Sequence, residues 1–435
     1  MIRTTIAIAA LALPAGAQTY VILDPPCVES GGRFGLSAVV LDFDGDGNLD
    51  LAVGAPGQGA VYLFFGPLLT NWIRIRPEGA LPPLQCAPTP PPGFQLYVPS
   101  FGHALAAGPL DTVPGDELFV GAPEANGTAG EVRVYGQALT PIVLQSGTPV
   151  AGAGMGASVA VGDFDGDTEL DVAAGAPTTN LGSIACTGGS TAEGRLHIFH
   201  SGLAVEAMVD NPLAGVADAC NAFWSVDLAV TDANGDGDVE LFVSSEANPV
   251  GGHPNAGSVH VYPGPVVTGL GVSTPQLVFD DQLQICDDGA RYGKSIDARG
   301  TQLVVGAPRK DRVPNCSRVD TGGGFLYAAP TYLTGLLTPQ PVQVEALLGF
   351  RAWLGDRIGD PTPDAVFAVL GASSLWIWDG ATPTLPPTVV AGPTGASGHF
   401  ATGVAAGQLT AGGREELVLG DPDFDGDKGR VAILR

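Results

Sequence analysis

Apolar residues recur along this chain in short alternating runs, and the runs repeat. The segments "AVYLFFG", "EVRVYG", "GRLHIFHSG", "SVHVYPG" and "SLWIWDG" set Val61/Leu63, Val132/Val134, Leu196/Ile198, Val259/Val261 and Leu375/Ile377 two residues apart. Period two is the mark of a strand with one buried face. Each run follows a shorter apolar strand that ends in a small-residue turn: "GAP" at 54, 121, 175 and 306, with weaker versions at "SSEANP", "LGAS" and "LGDP". After the alternating strand most copies continue into one more, "PIVLQ", "AVEAMVD", "PQLVFDD" and "PVQVEALL".

A second marker precedes each turn, an aromatic or Met followed by a small residue. It reads Phe34-Gly35, Phe101-Gly102, Met155-Gly156, Phe223-Trp224, Tyr292-Gly293 and Phe400-Ala401. The interval from its second residue to the turn is 19 residues at Gly35–Gly54, Gly102–Gly121, Gly156–Gly175 and Ala401–Gly420. It is 20 at Trp224–Ser244 and 13 at Gly293–Gly306, and near Phe350 the marker is too degraded to align. Seven copies therefore fill residues 18–435 at about 60 residues each, the size of a four-stranded propeller blade with its loops. The last copy ends at Arg435 without its fourth strand, whereas "TYVILDPP" at residues 19–26 is a strand without a copy. The expected fold is all-β, a seven-bladed propeller of four-stranded blades, with the N-terminal strand completing the last blade and leaving no long open edge.

The first 17 residues read as a signal peptide, with Arg3, an apolar run from Ile6 to Leu13 and Ala15-Gly16-Ala17 before the cleavage point. The run is too short to span a bilayer. The expected mature protein, residues 18–435, is secreted or cell-surface associated and not inserted in a membrane. The 63 Gly and 37 Pro fit frequent turns, and 45 acidic against 19 basic residues give a net charge of −26. Such a surface argues against nucleic acid or anionic lipid as partner. Six cysteines, Cys27, Cys86, Cys186, Cys220, Cys286 and Cys316, are an even number in an exported chain and suggest disulfides. Their order leaves 15 pairings open; pairing of neighbours would join Cys27–Cys86, Cys186–Cys220 and Cys286–Cys316.

Three loops crowd acids before the turn. "DFDGDGNLD" offers Asp42, Asp44, Asp46 and Asp50, with the Asn48 carbonyl. "DFDGDTELD" offers Asp163, Asp165, Asp167 and Asp171, with the Glu169 carbonyl. "DANGDGDVE" offers Asp232, Asn234, Asp236 and Glu240, with the Asp238 carbonyl. Oxygens at positions 1, 3, 5, 7 and 9 of a tight loop make the shell that Ca²⁺ prefers, and crowded carboxylates repel unless a cation or protons neutralise them. Three calcium sites are expected. A further loop, "GDPDFDGDKG", alternates Asp421, Asp423, Asp425 and Asp427 but follows its turn, so a fourth site there is a separate possibility. Carboxylate-saturated calcium leaves no open position for a substrate, which points to a structural role.

Phe-Gly, the aspartate loop and Gly-Ala-Pro in register resemble the FG-GAP repeats of the integrin alpha-chain propeller and its bacterial relatives, over essentially all of residues 18–435. The resemblance implies a seven-bladed propeller with calcium in some strand 1–2 loops, and a binding or adhesion role toward an extracellular protein or glycan on the opposite face. That face takes the insertions 85–100, 178–194, 247–257 and 309–323, and the basic cluster Arg309, Lys310, Arg312 and Arg318 could capture an acidic ligand. The alternatives are a propeller lyase or hydrolase acting on polysaccharide, or a self-assembling envelope or coat component. No catalytic residue stands out. His197 and His260 sit at corresponding places in alternating strands and read as structural, and "GAGMGA" at 152–157 runs into a strand, not a helix.

Overall fold

The computed structural model describes residues 20–435 apart from 28, 78, 82–99, 183–191, 201, 215–218, 251–252, 269–270, 279–288, 311–321, 329–332, 338–346, 358–361, 370, 372, 384 and 410–414. Besides a two-stranded ribbon of Val267–Thr268 and Gly271–Val272, the strands form seven antiparallel sheets, each a meander running from an innermost to an outermost strand. These are blades 1 to 7. Their innermost strands are Ala38–Leu41, Leu105–Gly108, Ser158–Gly162, Trp224–Thr231, Ser295–Arg299, Leu348–Gly355 and Val404–Gly407. Blade 1 has a fifth strand, Gly79–Leu81, on its outer edge.

The second and third strands of each blade are apolar on both faces because each blade packs between two others. Leu51, Ala52 and Val53 of blade 1 are fully buried, and so are Leu417, Val418 and Leu419 of blade 7. One apolar cluster joins Val53 and Tyr62 to Val418 and Ile433, and another joins Trp353 and Val366 of blade 6 to Leu417 and Leu419, so the core is a ring of blade interfaces. The ring is closed by Tyr20–Leu23, which pairs antiparallel with the last strand, Arg430–Leu434, from Tyr20↔Leu434 to Leu23↔Val431.

The repeated marker is the joint between blades. The Gly35 N–H donates to the Gly54 carbonyl at 2.9 Å, and the same bond runs from Gly102 to Gly121, Gly156 to Gly175 and Gly293 to Gly306; in blade 7 the donor to Gly420 is Thr402, one residue past the marker. A constant interval of 19 residues is the length of chain between the two ends of this bond. In blade 5 the bond persists with 13 residues because strands Ser295–Arg299 and Gln302–Ala307 are joined by a tight turn. The marker's first residue is buried and lies against a glycine of the preceding blade: Phe34 bridges to Gly429, Met155 to Gly130 and Tyr292 to Gly257.

Two markers differ from the sequence expectation. In blade 4 it is Trp224, not Phe223, whose backbone crowds the preceding glycine, Gly194, where a Cβ would meet the Trp224 oxygen at 2.3 Å. Ser225 then takes the small-residue place, with φ 67°, and Ser225 to Ser244 restores the interval of 19. In blade 6 the marker is Leu348-Gly349, since Leu348 bridges to Gly322 and a Cβ on Gly306 would meet the Gly349 oxygen at 2.0 Å. A leucine fills the aromatic's place. The outer strand of blade 5 is also corrected: it is Leu333–Leu337, paired with Gly323–Ala328, and not "PVQVEALL". The chain needs only a short turn to return along its own edge, so the nearer apolar segment pairs first.

Cys27 and Cys220 are disulfide-bonded. The Cys27 carbonyl accepts from Gln58 Nε2 and the Cys220 carbonyl from Ala192 N–H, which puts both beside strand 2–3 connections. Cys86, Cys186, Cys286 and Cys316, and with them the expected pairings, lie outside the described residues, as does the expected signal segment. Among the described residues no helix is long and apolar enough to cross a membrane.

Candidate metal centre

The aspartate loops join strand 1 to strand 2 and share one face with the strand 3–4 connections. The acid that opens strand 2 positions each loop. In blade 1 the Asp50 carboxylate accepts from Phe43 N–H at 2.9 Å and from Gly66 N–H, in the 3–4 connection, at 2.8 Å. The bond to the N–H seven residues back recurs at Glu117 with Leu110, Asp171 with Phe164, Glu240 with Ala233 and Asp364 with Arg357. The ninth-position acid is therefore a loop clamp in five blades, whether or not the loop has further acids. Reading for calcium alone missed Glu117 and Asp364 in this role. Their common signal is an acid at the first residue of strand 2 in each of these blades.

Two loops go further. Ligand oxygens of Asp42, Asp44 and Asp50 lie within 4.8 Å of one another, and so do those of Asp163, Asp165 and Asp171. In the first loop Asp42 Oδ1 is buried without a hydrogen-bond donor, and in the second Asp171 Oδ1 is. A buried carboxylate oxygen without a donor carries a heavy desolvation cost. Burial, with the neighbouring Asp44 and Asp42 adding, pushes Asp50 up to about 6. Burial likewise pushes Asp171 up to about 7, raised further by the charges of Asp165, Asp167 and Asp163. Three convergent hard oxygens and an unsatisfied anionic atom fit a divalent cation of the calcium type. Bound there, the ion would supply the positive charge that these oxygens lack and would tie the loop to strand 2.

The fifth- and seventh-position residues are engaged differently. Asp46 accepts from the Asn48 N–H at 2.7 Å and from its side-chain amide. Asp167 accepts from Glu169 N–H at 2.9 Å and Asp236 from Asp238 N–H at 3.0 Å. These bonds close the turn, so Asp46 and Asp167 stand outside the two triads. In the second loop His200, at the end of the third strand, brings Nδ1 to 3.1 Å from Asp165 Oδ2.

The loop of blade 4 has the same backbone plan, with Asn234 in the third position. Asp232 accepts from Gly235 and Gly237 N–H, while the Asn234 amide donates to Asp236 Oδ2 and Glu240 Oε1, both at 2.9 Å. Asp232, Asp236 and Glu240 are not among the convergent carboxylate groups of the described residues. The third position here is an amide, which donates as well as accepts and whose oxygen, like a carboxylate's, is a ligand type that calcium takes.

Around the C-terminal turn three of the four aspartates face separate cations. Buried Asp421 meets Arg430 at 3.3 Å, Asp423 meets His399 and Arg33, and Asp425 meets Lys428 at 2.7 Å. The blade 2 loop, off phase for a metal, instead docks blade 1: Asp116 Oδ2 accepts from Asp42 N–H at 2.9 Å, and Asp116 N–H donates to the Asp42 carbonyl at 2.7 Å. The two histidines read as structural are buried, His197 against Glu206 at 2.7 Å and His260 accepting from Trp224 Nε1; burial pushes His260 down to about 4.

Among known families, the FG-GAP repeat matches residues 34–64 and 155–199, the stretches that hold the two carboxylate triads. No curated protein matches the chain. Among solved structures a streptogramin B lyase superposes with a TM-score of 0.56 at 9% identity, covering 96% of this chain and 97% of the other. Virginiamycin B lyase from Staphylococcus aureus gives 0.54 at 8% identity, with 96% and 99% covered. Saccharomyces cerevisiae Sqt1 gives 0.52 at 11% identity, with 91% and 83% covered. At such identities the likeness is one of fold alone. The chain is thus a seven-bladed β-propeller that carries FG-GAP repeat matches in its first and third blades.

Proposed function

We propose that this protein is an exported, calcium-stabilised propeller that serves as an extracellular binding module for a protein or glycan. The observation that carries this reading is the pair of carboxylate triads, each with a buried oxygen lacking a donor, on one face of a closed ring. Calcium there would stiffen the strand 1–2 loops of blades 1 and 3. The opposite face, built of strand 2–3 connections and blade crossings, is left for recognition, the usual work of loops on a rigid scaffold. Bonded cysteines at Cys27 and Cys220 support an oxidising compartment, and a net charge of −26 disfavours nucleic acid as the ligand.

The test is binding of residues 18–435 to an array of glycans and extracellular proteins, with calcium and with chelator. Chelator-sensitive binding to a defined ligand supports the reading. A folded protein that binds calcium yet no arrayed ligand removes the adhesion role and leaves a calcium-stabilised scaffold.

A further inference from the structure

On the face opposite the aspartate loops, at the junction of blades 4 and 5, the chain encloses a cleft of about 470 Å³. Its walls include Asn221, Phe223, Glu246, Asn255, Arg291 and Arg309. Phe223 and Arg291 precede the markers of adjacent blades, and both have left-handed backbones, φ 49° and 56°. The turn into the innermost strand thus sets an aromatic ring and a guanidinium at neighbouring places on the rim.

Among the described residues, the cleft's lining carries more cations than acids, against the sign of the molecule. Glu246, nearly buried, is shared between Lys294 at 3.0 Å and Arg291 at 3.4 Å. Arg309 is exposed, its backbone N–H is held by the Ala290 carbonyl, and its guanidinium has no ion-pair partner among the described residues. Among the described residues, Arg291 and Arg309 in the lining, with Lys294 behind Glu246, outnumber that one acid on a protein whose net charge is −26. Of the basic cluster expected from sequence, Arg309 lines this cleft. Lys310 is buried with its ammonium 5.8 Å from the Phe325 ring centre, and Arg312 and Arg318 lie outside the described residues.

We infer that this cleft binds a carboxylated sugar, as a residue of an acidic glycan. A guanidinium pairs bidentately with a planar carboxylate, and Arg309 is free to do so, with Arg291 beside it. The Phe223 ring offers an apolar wall for a sugar face, and the Asn221 and Asn255 amides both donate and accept, as ring hydroxyls require. Glu246 keeps Arg291 and Lys294 in place.

The inference rests on the binding-module reading and names its site. The experiment is calorimetric titration of residues 18–435 with an oligogalacturonate, its neutral methyl ester and an oligoglutamate, at low and high salt, beside the glycan and protein array. The expected result is binding of the oligogalacturonate, weakened by salt and lost in the ester, with Arg309→Gln and Arg291→Gln each lowering affinity by about 10-fold or more, the scale of a charge-assisted hydrogen bond. Oligoglutamate bound as tightly would overturn the sugar assignment. Unchanged affinity in Arg309→Gln, or no oligogalacturonate binding by the folded protein, would overturn the site. If array ligands still bind while Arg309→Gln changes nothing, the cleft fails alone; if nothing on the array binds, the binding-module reading fails.

Discussion

A Cβ placed on Gly54 of blade 1 would lie 2.1 Å from the carbonyl oxygen of Gly102 in blade 2. The same contact, backbone against Cα, recurs from Gly121 to Gly156, Gly175 to Ser225, Gly306 to Gly349 and Gly420 to Gly35, at 1.7 to 2.1 Å. Gly-Ala-Pro and Phe-Gly are thus the two halves of one joint, each blade contributing its turn glycine to the marker of the next.

Gly54→Ala isolates this joint. Gly54 is not among the glycines with positive φ, so alanine would otherwise be neutral or mildly stabilising. The expected loss is about 1–3 kcal/mol or more, from overpacking against a backbone atom. Gly371→Ala, where φ is 82° and nothing lies within 4 Å, should cost only about 1 kcal/mol. Equal melting temperatures of wild type and Gly54→Ala would show that the joint relaxes freely.

Calcium should raise the melting temperature and chelator should reverse the gain. Linkage gives about 2.7 kcal/mol per site at a hundredfold excess over Kd. Asp171→Asn should act with opposite sign in the two states. Without metal it removes a buried charge and its repulsion, so stability holds or rises; with calcium the increment from that loop disappears. Differential scanning calorimetry of both proteins, with and without calcium, reads the contrast.

The N-terminal strand should be replaceable in trans. Val21 and Leu23 pack on the core shared by blades 7 and 1, and the Tyr20 hydroxyl donates to the Ala391 carbonyl at 2.7 Å. Beginning the chain at residue 25 should cost about 2–4 kcal/mol of apolar burial and leave Arg430–Leu434 as an open edge that self-associates. A synthetic peptide of residues 18–26 should restore a monomeric light-scattering profile. A shortened chain that stays as stable as the parent would show that closure contributes little.

A pH dependence should arise on the innermost strands. The Asp297 carboxylate accepts from Leu354 N–H at 2.8 Å, tying blade 5 to blade 6, and Asp227 accepts from Ile296 N–H, tying blade 4 to blade 5. Burial, with the Asp227 charge adding, pushes Asp297 up to about 6 against the Leu354 and Ala298 N–H groups. Between about pH 4 and 6 the folded state keeps a proton that the unfolded chain has released, so this group's stability is full at low pH and falls as pH rises to about 6. Asp297→Asn keeps an acceptor for Leu354. It should gain about 1–3 kcal/mol over wild type at pH 7, and the gain should vanish near pH 4 in urea titrations. A constant difference across that window would exclude the titration.

How much could be read in advance depended on how local each feature was. The interval of 19 was legible because one hydrogen bond spans it within a blade. The blade 4 marker slipped by one because Phe223 and Trp224 are adjacent and only packing against Gly194 distinguishes them. The blade 6 marker was illegible because Leu348 does an aromatic's work. Three aspartate loops share one spacing; in two of them three carboxylates converge, and in the third Asn234 stands where the others have Asp44 and Asp165.

The blade count and the strand pattern follow from short-range spacing, because a four-stranded meander folds on its own neighbours in the chain; the strand that closes the ring pairs across almost the whole length of the chain. Other features are settled only when distant segments meet. Asp116 is useless to its own loop and braces that of Asp42, and Phe223 and Arg309 share a cleft although 86 positions separate them. Such contacts depend on the angle at which rigid blades pack around the ring, a quantity that no stretch of the chain encodes by itself.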